Sequence, residues 1–491
     1  MTERTARITV ALGFLASRVA FHLAGVRFDT SPLPWFWQYL DPPLLRSDLA
    51  SSLWYLHAQP PLFNAFLGVG LKIGGSHAAL VFHFAYVAIG LGIALALHDL
   101  LRCLGLGRRA AIFVTLLYVA SPTAILYEKW LMYTQIETGA LLLAAWSLYR
   151  LCERGGWRNA ALYFGGVAAL ALTRSLFHPV WVAACVAIAF FATRPFRREV
   201  VVGGVCALAL VGGLYLKNDR LFGVPAASSW FGMNLANLVF DRWPLEERQR
   251  LVEQRVVSAL ALAAPFSPLD VYPESFRSSE GPNVPALRRP FKTGGESNYN
   301  HIAYIAISRL YQRDAMTLIR RDPARYAAVV GSAWQKYLLA PSNYAFVEPN
   351  RRRILVWNRL YDMLYGVPTA WTGARPGIDG PLAPPSPWRL CWLWIALCVP
   401  SVGFAGITVG RALLRARRPG AAAECDPKAA RIATIAFCLL TVAFVSVAAN
   451  AVELGENNRF RVPIEPLLIL LVAFAVAELA ARRGNGVPPA S

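Results

Sequence analysis

Apolar stretches of about twenty residues recur along nearly the whole of this chain, and they restrict what it can fold into. A helix of that length matches the hydrocarbon thickness of a bilayer. Inside lipid, only helices or closed barrels satisfy their own backbone. Such stretches fall near residues 7–26, 77–98, 110–126, 131–149, 158–173, 177–193, 199–216, 388–410, 429–450 and 462–480. Only 16% of the 491 residues are charged, against about 25% in a soluble domain. The reading is an all-α integral membrane protein of ten to twelve transmembrane helices. The first apolar segment lacks a small-residue cleavage site and reads as a retained span.

The formal net charge is +20, which in a soluble protein would suggest nucleic acid. Here the basic residues sit between spans: Arg4 and Arg7; Arg102, Arg108 and Arg109; Arg150–Arg158; Arg194–Arg198; Arg411–Arg418; Arg482 and Arg483. They alternate with acidic or neutral connections, as the positive-inside rule expects. That excludes nucleic acid as a partner and puts both termini in the cytoplasm. The eight cysteines (Cys103, Cys152, Cys185, Cys206, Cys391, Cys398, Cys425 and Cys438) fall in spans or on the cytoplasmic side and show no paired metal-ligand spacing.

Three regions follow. Residues 1–217 form an N-terminal transmembrane module whose first external loop covers 27–60. Residues 218–385 form an external region with amphipathic or additional membrane helices. Residues 386–491 carry the C-terminal spans. Within the middle region, helical patterns at Pro244–Ala263 and Asn300–Arg320 flank a loop-like run, Ser278–Glu296. Residues 324–341 and 354–370 are either two extra spans or surface helices, and Pro60–Ile73 is apolar but too short to cross alone.

Chemistry-bearing residues gather at the external ends of the spans. The first loop holds Asp29, Asp41 and Asp48 among aromatic residues, where carboxylates beside a bilayer are costly without a purpose. Each of Asp29 and Asp41 suits either a general base or a helix cap before a proline. His57-Ala-Gln59-Pro-Pro-Leu-Phe-Asn64 presents polar groups at a rigid, proline-fixed turn, or simply starts a helix. Tyr127, Glu128 and Lys129 lead into a span that carries Glu137, which needs a partner there. Glu128 and Lys129 suit an interfacial ion pair as well as a ligand site. Arg174 and His178 end another span, where the arginine either snorkels or binds phosphate. The final connection packs Glu453, Glu456, Arg459 and Arg461 together, a basic site for a lipid phosphate or a plain polar loop. No nucleotide-cradling glycine loop and no His/Cys metal set is present.

An acidic first loop ending in a His-x-Pro-Pro-Leu-like run resembles the GT-C superfamily of polytopic glycosyltransferases. It looks closest to the bacterial relatives of the protein O-mannosyltransferase and aminoarabinose-transferase family. The likeness extends to Tyr127–Glu137, Arg174, the Arg320–Pro323 step and Arg459–Pro466. It implies inverting transfer of a sugar from a polyprenyl-phosphate donor to a glycan, lipid or protein acceptor of the cell envelope. The location implied is the external side of a bacterial inner membrane. By position it makes Asp29 the base, with Asp41 next. Arg174, Arg459 and Arg461 become the phosphate ligands, and the remaining polar residues line the site. The family's frequent paired acids are missing, since Thr30 follows Asp29 and Pro42 follows Asp41. A divalent ion (Mg or Mn) therefore enters only as an expectation of the resemblance. The competing class is a transporter or flippase of lipid-linked sugars, which would place polar residues at mid-bilayer and often carry repeats.

Overall fold

The computed structural model describes residues 2–276, 281–372, 386–416 and 427–484. Ser278, Arg417, Arg418, Cys425 and the 385/386 boundary lie outside them. The first helices are α1 (Glu3–Leu23), α2 (Pro42–Ser47), α3 (Leu49–Trp54), α4 (Leu62–Gly74), α5 (Ala78–Cys103), α6 (Arg108–Val119) and α7 (Pro122–Glu128). Then come α8 (Tyr133–Arg154), α9 (Trp157–Thr173), α10 (Pro179–Ala192), α11 (Arg197–Phe222), α12 (Phe231–Phe240) and α13 (Leu245–Glu253). The middle region continues with α14 (Pro285–Arg288), α15 (Ala303–Arg321), α16 (Pro323–Tyr337), α17 (Glu348–Arg351), α18 (Leu355–Leu364) and α19 (Pro368–Trp371). The last are α20 (Trp392–Ala416), α21 (Pro427–Val452), α22 (Asn457–Arg461) and α23 (Glu465–Gly484). Among the described residues there are no strands, only three isolated bridges.

Six helical segments are long and apolar enough to cross a membrane, or seven if α6 and α7, bent by 54°, form one broken span. Hydropathy alone suggests more. Segments 158–173 and 177–193 do form helices, but α9 and α10 have only 17 and 14 residues. The helix at 131–149 carries Gln135, Glu137 and Arg150. The two extra spans weighed for the middle region are α16, with 15 residues, and α18, with 10. Neither reaches the roughly 20 residues a crossing needs. The short Pro60–Ile73 segment becomes α4. It folds back along α5, with Phe66 beside Tyr86 and Gly70 beside Phe82. The reversal occurs at Gly75, whose φ of 51° favours glycine.

Between spans, lipid removes most of the hydrophobic drive, so close packing and polar contacts hold the bundle. One core joins α1, α5, α6, α8, α9, α10, α20, α21 and α23. At the end marked by Glu3, that residue pairs with Arg102 and Arg108, and Arg7 pairs with Asp99. A second core lies at the other end. It packs the 26–71 segment against α12, α15 and residues 257–272. Its tightest joint is Gly232 on α12, where an added Cβ would sit 1.8 Å from the Ser308 carbonyl oxygen of α15.

Backbone cannot yield to a methyl group there. Gly232→Ala is expected to lower stability by about 3 kcal/mol, the upper end of overpacking costs. Gly92→Ala on α5, which meets nothing within 4 Å, should leave the melting temperature unchanged or raised. Thermal unfolding of both variants in detergent checks this.

Candidate functional site

The loop after α1 is anchored by its backbone. Asp29 N–H donates to the Lys129 carbonyl at 2.7 Å, and Leu131 N–H donates to the Asp29 carbonyl at 3.0 Å. The two segments pair as a parallel bridge between Asp29 and Trp130. The Asp29 carboxylate accepts from Ser31 N–H at 2.8 Å, an Asx turn rather than a helix cap. Among the described residues it has no ion-pair partner. It lines a cavity of about 210 Å³ with Arg27, Phe28, Trp130, Phe346 and Asn350. Trp130 stacks on Phe346 at 6.0 Å, and Tyr344 closes on both Trp130 and Tyr127. The Tyr127 hydroxyl donates to the Pro341 carbonyl at 3.1 Å.

Asp41 takes a different role. It precedes the Pro42-Pro43 start of α2 but makes no side-chain cap bond. Its carboxylate accepts from Thr293 N–H at 3.1 Å and from the Thr293 hydroxyl at 2.7 Å. Its other oxygen is buried without a partner. Neighbouring Lys292 donates to the Phe36 carbonyl at 2.7 Å. Burial pulls that ammonium down to about 8, against the pull of Asp41 and Glu296. Asp41 thus ties the first loop to residues 291–298.

His57 is wholly buried, with Nδ1 2.8 Å from the Ser229 hydroxyl and its backbone N–H donating to Asn300. Burial lowers its pKa to about 3, with the Asn300 bond opposing and Lys217 adding to the effect. It is a neutral core residue joining the first loop to α12. Gln59 beside it is half-buried.

Glu128 is fully buried and grips Arg18 of α1 through both oxygens, with Nη2 to Oε2 at 2.5 Å. Lys129 adds a second contact at 3.2 Å and reaches His83 Nε2 at 3.0 Å. The interfacial Glu–Lys pair is therefore present, inside a larger cluster. Gly90 of α5 makes room for it, since a Cβ there would lie 2.4 Å from Glu128 Oε2. Arg18 is the residue sequence reasoning missed. A lone arginine inside a membrane-length apolar run is itself a signal. Asn350, Phe346 and Thr293 had no local signal.

The remaining cations form a separate buried cluster. Arg174 pairs with Glu137 at 3.3 Å and lies 4.4 Å over the Phe460 ring. Arg459 pairs with Glu456 and reaches the Tyr133 hydroxyl at 3.4 Å. Tyr344 donates to the same Glu456 at 2.5 Å, which links this cluster to the wall of the Asp29 cavity. Arg461 donates to the Tyr337 carbonyl at 3.0 Å and stacks 4.2 Å over Trp394. All three arginines are buried. Among the described residues Glu137 Oε1, Arg459 Nε and Arg461 Nε find no hydrogen-bond partner. His178 stands apart as the N-cap of α10, its Nδ1 accepting from Val180 N–H at 3.3 Å.

A resident divalent ion needs about six oxygen ligands. Among the described residues no three His, Cys, Asp or Glu side chains come together. The cavity offers one carboxylate, with the Arg27 guanidinium on the same wall. Asn350 spends its amide on the Arg27 backbone. The described residues thus form no multi-carboxylate cage, and a Mg or Mn ion here would have Asp29 as its one carboxylate ligand, with water and substrate phosphate supplying the rest. Compared with family models, with curated proteins and with solved structures, the chain gives no significant match to any. The fold and site define a multi-pass helical membrane protein with an acid-bearing cavity beside the end of its first span.

The buried histidine has a measurable consequence. An unfolded histidine takes its proton near pH 6.5, and folded His57 does so only near 3. Its contribution is complete above pH 6.5 and is lost as the pH falls toward 3, by up to about 1.4 kcal/mol per unit. Unfolding scans at pH 7 and pH 5 should show wild type weakening on acidification and His57→Gln weakening less. Equal slopes would contradict the neutral, buried assignment.

Proposed function

We propose that this protein is a GT-C-type glycosyltransferase that moves a sugar from a polyprenyl-phosphate donor to a cell-envelope acceptor. The reaction is assigned to the extracytoplasmic side of a bacterial inner membrane, with Asp29 as general base. The observation that carries the reading is Asp29 itself. Among the described residues it is a carboxylate without an ion-pair partner, on a cavity walled by Trp130 and Phe346, six residues beyond the end of α1.

The chemistry follows from that placement. An acceptor hydroxyl attacks the anomeric carbon while Asp29 takes its proton. The new glycosidic C–O bond forms as the C–O bond to phosphate breaks, and the electron pair leaves with the lipid phosphate. Attack from the face opposite the leaving group inverts the anomeric centre. A positioned base is worth about 10²–10⁴-fold, and aromatic walls exclude competing water. Arg459 acts in this reading as a support for the cavity's inner wall, through Glu456 and Tyr344, while Arg174 and Arg461 are held by Glu137 and the Tyr337 carbonyl. The basic loops, including Arg102, Arg108 and Arg7, favour the opposite end of the bundle as the cytoplasmic one.

Transfer from a radiolabelled polyprenyl-phosphate sugar, measured in membranes, tests the reading. Asp29→Asn should lose at least about a hundredfold in rate, while Asp41→Asn keeps most of it. Full activity in Asp29→Asn would reject the base. Absence of transfer from any such donor, together with measured translocation of lipid-linked sugar, would make the protein a flippase instead.

A further inference from the structure

α18 is built inside out. Of its polar residues, Asn358 and Asp362 are buried against the protein, Asn358 Nδ2 donating to Asp362 at 2.8 Å, and Arg359 is exposed, its Nε donating to the Ala370 carbonyl at 2.7 Å. Leu355, Val356, Leu360 and Leu364 point away from it and are exposed, Val356 by 79%. A surface helix in water shows the reverse pattern, so the medium outside α18 is lipid. Its ends agree. At one end, the Arg353 side chain lies over Gly25, just past α1, 3.5 Å from where a Cβ would stand. At the other, the Tyr365 carbonyl accepts from Leu393 and Trp394 N–H at the start of α20. α18 therefore runs along one membrane surface, about 15 Å from span to span. Trp371, Trp388 and Trp392 are exposed near that second end, as in the aromatic belts at headgroup level.

The same segment borders the Asp29 cavity. Phe346 and Asn350, just before α18, line it with Arg27. Asn350 holds the Arg27 backbone from both sides, accepting from its N–H at 3.0 Å and donating to its carbonyl at 2.8 Å. Among the described residues the Arg27 guanidinium donates to the carbonyls of His22 and Val26 alone. Arg353 is exposed and makes no ion pair among the described residues. Nearby Arg352 is already paired with Glu348 at 3.1 Å, which also holds Arg351 at 2.9 Å. Two guanidinium groups without carboxylates thus flank an acid-bearing cavity beside an apolar, lipid-facing helix.

We propose that Arg27, Arg353 and the outward face of α18 bind the polyprenyl-phosphate donor. Its phosphate meets the two arginines and its isoprenoid chain lies along Leu355, Val356, Leu360 and Leu364. The attached sugar then points into the cavity toward Asp29. This rests on the glycosyltransferase reading and moves the donor phosphate from the buried Arg174, Arg459 and Arg461 to arginines that lipid can reach. An ordinary anionic phospholipid would satisfy the charges, but it leaves the adjoining cavity unused.

The test is binding, read by native mass spectrometry on the full chain in neutral-lipid nanodiscs. Polyprenyl phosphate is the probe, with phosphatidylglycerol and inorganic phosphate as competitors. Arg27→Gln/Arg353→Gln should bind at least tenfold more weakly than wild type. Val356→Ser/Leu360→Ser, on exposed positions, should also weaken binding, and serves if the arginine pair fails to fold. Unchanged binding in both double variants, with wild type active in transfer, would overturn this site and leave the enzyme reading standing. Competition by phosphatidylglycerol at equal concentration would reassign the surface to anionic lipid in general. Absence of both binding and transfer in wild type would remove the reading and this site together.

Discussion

The ion pair between Arg18 and Glu128 sits under everything the candidate site needs. Both side chains are buried, and the guanidinium also donates to the Val119 carbonyl at 2.6 Å. Removing one partner of such a pair leaves an unpaired buried charge, at a cost of about 3–5 kcal/mol. Its position matters more than its strength. Glu128 ends α7, Lys129 follows, and the Lys129 carbonyl receives the Asp29 N–H. The pair fastens α1 to α7. Asp29, six residues beyond α1, is thereby held against the turn into α8.

The break between α6 and α7 creates a second demand that the fold answers locally. A helix broken near the membrane exposes carbonyls that lipid cannot satisfy. Here Arg18 takes the Val119 carbonyl, Trp357 the Ala120 carbonyl at 2.7 Å, and Tyr361 the Leu117 carbonyl at 2.7 Å. Ser121 caps the restart, accepting from Ala124 N–H at 3.1 Å, with Pro122 in the first turn. Two of the three carbonyl donors come from α18. Docking that helix on the break is what turns Asn358 and Asp362 inward and leaves its leucines facing lipid. The polar inner face, the broken span and the cavity wall are one construction.

Much of this architecture was legible in sequence, for a physical reason. Apolar length and basic flanks are local properties, so the helical segments and the shortness of Pro60–Ile73 follow from composition alone, while residues 354–370 read equally as a span or a surface helix. Asp29 stood out because a carboxylate beside a span is costly. What stayed hidden depends on residues far apart in the chain. Asp41, which in sequence suits either a base or a cap, instead holds Thr293, 252 residues on, and His57 leaves the site for Ser229 and Asn300. Arg174 is partnered by Glu137, 37 residues away, a choice that spacing cannot foretell, whereas Glu456 and Arg459 pair within one helical turn. Among the described residues six or seven segments are long and apolar enough to cross, fewer than the ten to twelve read from hydropathy, because α9 and α10 are short and α8 carries polar residues.

The most direct measurement is a cryo-electron-microscopy map of the protein in nanodiscs with a bound, non-transferable polyprenyl-phosphate sugar. The sugar is expected in the cavity lined by Arg27, Asp29, Trp130 and Phe346, its anomeric carbon facing the Asp29 carboxylate across room for one acceptor hydroxyl. Sugar density lodged between the spans near mid-bilayer, with the Asp29 cavity empty, would contradict it.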